Sequence, residues 1–352
     1  MKIRIGILEQ DRVYVSRLIR YFTTYYIDKI EISAFYDLEK FLEFIQHSPI
    51  DIFLASPDLV PADLELPRTM IMAHISEVSQ AESLNGVKAV YKYQKAESLY
   101  REILGLYAEL DKKTAYKESD GTGQLHFFMG ASGGVGTTTM AVSCAVRLAS
   151  YGKKVLYFNL EENGILTPFL QGDGTATLSD VLYAVKSNRS NLVLKLESIV
   201  RKSNQGVYFY EPFALALDAH ELLAEELEEI LKTIMQYQTY DHIIVDADST
   251  VLWKRDLLMQ FSKNIFIVSD GSVISNMKLK KLLQELALRD QSEEKRNMAK
   301  VEVIYNRFKN TGRKAETEYQ EPVFGVIEEL GNSLPDYVVE NISRKPFFDK
   351  LL

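Results

Sequence analysis

The sequence has very little cysteine and no long apolar run, and each shortage excludes a class of protein. Cys144 is the single cysteine among 352 residues, which excludes an internal disulfide and the paired thiolates of an iron–sulfur electron carrier. No group of Cys and His residues has the spacing of a zinc site. No stretch reaches the ~18 apolar residues of a membrane-spanning helix. We therefore expect a cytoplasmic protein that contacts a membrane only peripherally, if at all.

An excess of positive charge is also missing. The chain has 41 Lys and Arg against 49 Asp and Glu, a net charge of −8, whereas nucleic-acid-binding domains are typically strongly basic. We therefore expect no nucleic-acid partner. The length predicts two domains at about 150 residues each, and 46% hydrophobic with 26% charged residues is typical of globular proteins.

Residues 1–110 alternate short apolar runs with segments of helical periodicity. This alternation predicts a parallel sheet covered by helices on both faces. The predicted strands are Ile3–Leu8, Ile30–Phe35, Ile52–Ala55, Met70–Ala73 and Val87–Tyr91. The predicted helices are Val13–Phe22 with Asp11 as N-cap, Leu38–Ile45 and Ala96–Leu110.

A second α/β alternation occupies residues 125–352, after a polar stretch at 111–124 that we interpret as a linker. Its predicted strands lie near 125–129, 154–159, 207–210, 242–246, 264–268 and 301–305. The fold prediction is therefore α/β throughout, with two doubly wound domains.

The strongest local signal is a glycine-rich turn between a predicted strand, Phe127–Met129, and a predicted helix, Thr139–Ser150. Glycines let successive backbone N–H groups point at one anion, and a helix N-terminus adds partial positive charge. Thr138 is placed where a hydroxyl reaches Mg²⁺. A tight strand–helix turn without a ligand is the alternative for this segment taken alone.

This turn resembles the deviant Walker A motif of the ParA/MinD superfamily, Lys-Gly-Gly-x-Gly-Lys-Thr-Thr. Five positions match, but Ser132 and Thr137 stand where the family has its two lysines. The resemblance implies that the loop binds ATP and Mg²⁺. The implied nucleotide-binding residues are Gly133, Gly134, Val135, Gly136, Thr137, Thr138 and Thr139.

Three later segments follow the family's order. Glu161 follows a strand that usually ends Asp-x-Asp in the family, and it is the candidate to orient a water for hydrolysis. Asp246 ends a strand similar to Walker B, which makes it a candidate Mg²⁺ ligand through water, alongside Thr138. Asn306 and Arg307 resemble the family's late adenine-binding strand. Taken singly, Glu161 could be a solvated charge, Asp246 a turn cap, and Asn306-Arg307 an ordinary strand exit.

Residues 1–110 resemble a response-regulator receiver, with a fold similar to that of flavodoxin. Glu9 and Asp11 lie near the place of the receiver's acidic cluster, and Lys92 matches its lysine. Ser56, however, stands where the phospho-accepting aspartate belongs. A serine hydroxyl lacks the carboxylate nucleophile, so we expect a pseudoreceiver that is not phosphorylated and serves docking or dimerisation.

A receiver-like domain before a P-loop domain without the lysines resembles the CpaE/TadZ branch of pilus-assembly localisation factors. That resemblance implies an ATP-binding homodimer that localises Tad-type pilus secretion proteins, at a cell pole or peripheral to the inner membrane. A missing catalytic cation costs about 10³–10⁵ in rate in GTPases, so we expect weak or absent hydrolysis. The alternatives are a slow ATPase that cycles on a partner and a ParA-like partitioning ATPase.

Overall fold

The computed structural model describes residues 2–67, 69–79, 81, 83–108, 123–187, 191–237, 240–248, 251–293, 297–309, 322–331 and 333–352. Residues 111–122 of the predicted linker lie outside this set. The chain forms two compact units. The first takes its described residues from Met1–Lys117 and Ala184–Ile199, and the second from Glu118–Tyr183 and Val200–Leu352.

The first unit is built on a six-stranded sheet. Its strands are β1 (Ile3–Leu8), β2 (Ile30–Phe35), β3 (Ile52–Ala55), β4 (Ile71–Ser76), β5 (Ser83–Leu84) and β6 (Val87–Tyr91), and its first helices are α1 (Arg12–Tyr25), α2 (Leu38–His47) and α3 (Ala96–Ala108). The order is β2-β1-β3-β4-β6-β5, with every pairing parallel except β5 with β6. Setting aside the short β5, this is the doubly wound order of flavodoxin-like folds, so the predicted fold is confirmed.

Alternate residues of each central strand enter separate apolar clusters on the two faces of this sheet. On β1, Ile5 and Ile7 pack with residues of α1 and α3, while Leu8 packs with Phe41 of α2. Asp11 caps α1 as predicted, since its carboxylate accepts hydrogen bonds from the amides of Val13 and Tyr14. Burial on both faces explains why these strands are continuous apolar runs.

The second unit contains an eight-stranded sheet. Its strands are β7 (Gln124–Gly130), β8 (Val155–Asn159), β9 (Arg201–Lys202), β10 (Tyr208–Phe209), β11 (His242–Asp246), β12 (Asn264–Ser269), β13 (Val301–Phe308) and β14 (Val323–Glu328). The order is β14-β13-β12-β7-β11-β8-β10-β9, all parallel except β9. Because the chain alternates strands and helices, the carboxyl ends of β7, β8, β11 and β13 meet at one edge of the sheet.

The remaining helices follow in chain order. They are α4 (Thr137–Ser150), α5 (Leu178–Ser187), α6 (Leu192–Ile199), α7 (Ala216–Glu221), α8 (Ala224–Tyr237), α9 (Leu252–Phe261), α10 (Val273–Glu293) and α11 (Pro335–Ser343). Of these, α6 belongs to the first unit, where Leu194 joins the apolar cluster under α3. In the described part of the chain, no helix combines the length and apolar character needed to cross a bilayer.

The last residues pack against the second unit. Phe348 and Leu351 are buried in the same apolar cluster as α4. Arg147 on α4 donates to Asp349 at 2.7 Å. Bulky apolar side chains next to basic ones at the end of the chain therefore complete the core.

Candidate phosphate-binding site

The carboxyl ends of the central strands bring the predicted site residues together around one open cleft of about 590 Å³. The register places Asp246, the last residue of β11, beside Asn159, the last residue of β8. The cleft is lined by Gly130, Ala131, Ser132, Gly133, Gly134, Gly136, Thr137, Thr138, Glu161, Ala247, Asp248, Lys278 and Arg307. Seven predicted residues are among them. Val135 is buried in the core instead.

A neighbouring pocket of about 240 Å³ takes two more of the predicted residues. Thr139 and Asn306 line it, together with Arg307, which is shared with the cleft. Asp246 lines neither space, because its side chain is 0% exposed. The predicted residues thus divide between a loop cleft, a side pocket and a buried position at the end of β11.

The glycine-rich loop is braced from β13. Asn306 Nδ2 donates to the carbonyl of Val135 at 2.9 Å, and Arg307 Nη1 donates to the carbonyl of Gly134 at 3.1 Å. Gly136, the N-cap of α4, has φ +85°, and a Cβ there would lie 2.3 Å from Asn306 Nδ2. Only glycine fits this close approach and this left-handed backbone. The helix therefore begins at Thr137, two residues before the predicted start.

The backbone amides of the loop are available to a ligand. Within the described residues, no acceptor takes a hydrogen bond from the N–H groups of residues 132–138. Unpaired amides at a helix N-terminus carry partial positive charge and favour an anion. This is the arrangement that a phosphate cradle requires.

Glu161 is held by three hydrogen bonds, one from the loop and two with Asn159. Its Oε2 accepts a hydrogen bond from Thr138 Oγ1 at 3.3 Å and from Asn159 Nδ2 at 3.4 Å. Its own amide donates to Asn159 Oδ1 at 2.9 Å. Burial raises the pKa of Glu161, and the nearby charge of Asp248 raises it further. The carboxyl group is thus an ordered part of the site.

Asp246 is a buried carboxylate with one oxygen unused. Oδ2 accepts from the hydroxyl of Tyr157 at 2.8 Å, while Oδ1 has no hydrogen-bond partner among the described residues. Burial, followed by the charge of Glu161, raises the pKa of Asp246 to about 8. An unsatisfied buried carboxylate is costly, and a nearby cation would relieve that cost. Hydroxyl and carboxylate oxygens are also the ligands that Mg²⁺ prefers, so the residues present fit the ion.

Sequence reasoning missed two lysines near this site. Lys278, on the first turns of α10, lines the cleft, although its sequence context indicates only a basic surface helix. Lys254 is 1% exposed and donates to the carbonyl of Leu160 at 3.2 Å, which fixes the segment after β8. A signal for Lys278 exists only through topology. It follows β12, which pairs directly with β7, the strand that leads into the loop.

The first unit has a polar cluster of its own, at the ends of β1, β3 and β6. Ser56 Oγ donates to Glu9 Oε2 at 2.7 Å. The Lys92 ammonium lies 3.3 Å from Glu9, 3.3 Å from Glu77 and 3.7 Å from Asp11. Burial by itself raises the pKa of Glu9, but bonds from the Asp11 amide and Ser56, with the Lys92 charge, lower it overall. Lys92 is therefore a buried ion-pair partner.

Comparisons with known proteins agree with both units. A family model described as a TadZ-like receiver domain matches residues 1–108, and one described as an AAA domain matches residues 127–299. No curated protein matches the chain.

Solved structures of ParA and MinD proteins match the chain at low identity. A ParA family ATPase from Chlorobium tepidum TLS is 18% identical with a TM-score of 0.53, over 66% of this chain and 96% of that one. The MinC:MinD complex of Aquifex aeolicus is 18% identical with a TM-score of 0.48, over 65% and 92%. MinD with Mg-ADP from Pyrococcus horikoshii OT3 is 17% identical with a TM-score of 0.45, over 62% and 94%. At such identity, the first of these shows the fold alone.

Proposed function

From a chain that joins a TadZ-like receiver domain to a P-loop domain of the ParA/MinD type, we propose a nucleotide-dependent localisation factor. It binds Mg-ATP, forms a homodimer and positions pilus-assembly proteins. It hydrolyses ATP weakly or not at all. We propose that the protein is located in the cytoplasm, at a cell pole or at the inner face of a membrane.

One observation carries the binding proposal. Seven consecutive residues, 132–138, have amides without an acceptor in the described structure, on a loop whose carbonyls are braced by Asn306 and Arg307. A braced loop is preorganised, so little entropy is lost when an anion binds. The triphosphate would lie along residues 133–138. The adenine would occupy the neighbouring pocket beside Asn306, by resemblance to the ParA/MinD family.

Mg²⁺ would be held by the hydroxyl of Thr138 and, through water, by Asp246. The ion supplies positive charge to the phosphate oxygens. The chain itself provides the oxygen ligands and, through Tyr157, the bond that orients the Asp246 carboxylate. The unused Oδ1 of Asp246 supports this assignment, because a metal-bound water gives it a donor.

Weak hydrolysis follows from what the loop lacks. Ser132 and Thr137, which replace the two lysines of the family motif, carry no charge, and Ser132 Oγ already donates to Ser275 Oγ at 3.2 Å. Glu161 is the candidate base, and burial raises the pKa of its carboxyl group. Binding depends less on these groups, since the amides and the metal ligands remain.

The test is to measure Mg-ATP affinity by calorimetry and phosphate release in the same purified protein. We expect saturable binding and turnover far below about one per second, a rate ordinary for enzymes. Thr138→Ala removes the metal-binding hydroxyl and should weaken Mg-ATP by about ten-fold or more. Thr138→Ser keeps the hydroxyl and should bind as the natural protein does. If Thr138→Ala and Thr138→Ser bind Mg-ATP equally well, the Thr138 hydroxyl does not contribute to the binding site.

A second candidate, a slow ATPase that cycles on a partner, is supported by one observation. Lys278 and Arg307 both line the cleft, so the same chain offers cations that the loop lacks. Stimulation of phosphate release by a purified pilus-assembly protein would favour this candidate. Sedimentation with and without Mg-ATP tests the homodimer in either case.

A further inference from the structure

The cleft has an unusual balance of charge for a phosphate site. Its lining contains two acidic residues, Glu161 and Asp248, and two basic ones, Lys278 and Arg307. Arg307 already donates to the Gly134 carbonyl, which makes it a brace for the loop. Lys278 is exposed, and its ammonium has no ion pair or hydrogen bond among the described residues.

Lys278 is positioned by the residue that replaces one of the lost lysines. Ser132 Oγ donates to Ser275 Oγ at 3.2 Å, and Ser275 Oγ lies 2.9 Å from Ser269 Oγ at the end of β12. Ser275 is buried in the first turn of α10, and Lys278 is three residues later, on the same side of the helix. The hydroxyl chain therefore fixes the start of α10 beside the loop and directs Lys278 to the cleft.

We propose that Lys278 is a phosphate-binding residue, which supplies from α10 the positive charge that the loop lost at positions 132 and 137. This inference rests on the proposed ATP binding. A flexible four-carbon side chain carrying three donors can reach the outer phosphates of a nucleotide on the loop.

The neighbouring lysines provide matched controls. Lys280 and Lys281 are exposed on the same helix but do not line the cleft. Removing any of the three lowers the net charge by the same amount. A difference between the variants therefore reports local contact with the nucleotide and excludes a general effect of the protein's field.

The experiment measures Mg-ATP and AMP affinity by calorimetry for the natural protein, Lys278→Ala, Lys278→Arg and Lys281→Ala, all in the full chain. We expect Lys278→Ala to weaken Mg-ATP by about ten-fold and AMP much less, because AMP lacks the outer phosphates. Lys278→Arg should retain most of the affinity. Lys281→Ala should stay within about two-fold of the natural protein, as expected for an exposed charge that does not line the cleft.

Two results would overturn the proposal while leaving ATP binding intact. One is a Lys278→Ala protein that binds Mg-ATP as tightly as the natural chain. The other is an equal loss in Lys278→Ala and Lys281→Ala. Absence of Mg-ATP binding to the natural protein would reject the proposed function and this inference with it. Melting temperatures of the variants, expected to match the natural chain because these side chains are exposed, show that each is folded.

Discussion

The two units each contain a polar site at the carboxyl ends of their strands, and the sites differ in how a buried carboxylate is partnered. In the first unit Lys92 is buried against Glu9, so the buried carboxylate has a cation as its partner. In the second unit the buried Asp246 keeps an oxygen without a partner, and the loop amides find no acceptor in the described residues. A buried carboxylate can therefore be satisfied by an internal ion pair, as in the first unit, or keep an oxygen open to a ligand, as in the second. Under the proposed function, the first site is structural and the second binds nucleotide.

The largest expected effect comes from breaking the ion pair between Lys92 and Glu9 in the first unit. Lys92→Met leaves Glu9 buried without its cation, and breaking a buried ion pair costs about 3–5 kcal/mol. Chemical unfolding should show this loss, whereas Lys40→Ala on the exposed side of α2 should change stability by less than about 0.5 kcal/mol. Adding Glu9→Gln to Lys92→Met should recover part of the loss. If Lys92→Met alone leaves the free energy of unfolding unchanged, the ion pair between Lys92 and Glu9 does not stabilise the fold.

A second effect concerns Asp246 in the second unit and is spread over several pH units, so that it is smaller within any one of them. Asp246 has a pKa of about 8 in the folded chain, raised by burial, so the folded state keeps a proton that the unfolded state has lost above about pH 4. The free energy of unfolding should therefore fall as pH rises from about 4 to about 8, by up to about 1.4 kcal/mol per pH unit from this group.

Asp246→Asn provides the comparison, since it keeps the shape and removes the titration. The difference between the natural chain and this variant, measured by unfolding without nucleotide or Mg²⁺, should grow across that interval and level off above it. If the difference stays constant, Asp246 is ionised over the whole pH interval. The two units would then not differ in how they hold a buried carboxylate.

The smallest expected effect is none at all. Incubation with acetyl phosphate and Mg²⁺ should leave residue 56 unmodified, because the Ser56 hydroxyl is not a carboxylate nucleophile and already donates to Glu9. Mass spectrometry of the intact chain checks this against an active receiver as positive control. Phosphate found on Ser56 would contradict this prediction and show that the polar cluster of the first unit is reactive.

Hydrophobic patterning predicted those strands whose burial is visible in their own stretch of sequence. The bounds of β1, β2 and β3 match the prediction because both faces of these strands are buried, so each is a continuous apolar run. The two-residue β5 was missed because it is too short to show a pattern. The Asn85-Gly86 turn, with φ of 52° and 79°, was its only signal. The edge strand β14 was missed because Gly325 interrupts its alternation and few of its residues are buried.

For the candidate site, the sequence predicted only those residues that belong to short continuous motifs. Glycine spacing indicated the loop, and the resemblance to the ParA/MinD motifs indicated Glu161, Asp246, Asn306 and Arg307. Lys278 could not be found in this way, because its place depends on the pairing of β12 with β7 and on a bond between Ser132 and Ser275. Lys92 had no sequence feature that distinguishes a buried ion-pair partner from a solvated charge. Contacts between residues far apart in the chain have no periodic signature.

The unpartnered oxygen of Asp246 has a consequence for how nucleotide arrival is detected. A carboxyl group that is largely protonated near neutral pH must ionise before it can serve a hydrated metal ion. Under the proposed function, binding of Mg-ATP then releases a proton to the solvent, and the heat recorded includes the ionisation enthalpy of the buffer. Titrations in Pipes and in Tris, whose ionisation enthalpies differ widely, should therefore give different apparent enthalpies for the same event, and their difference counts the protons released.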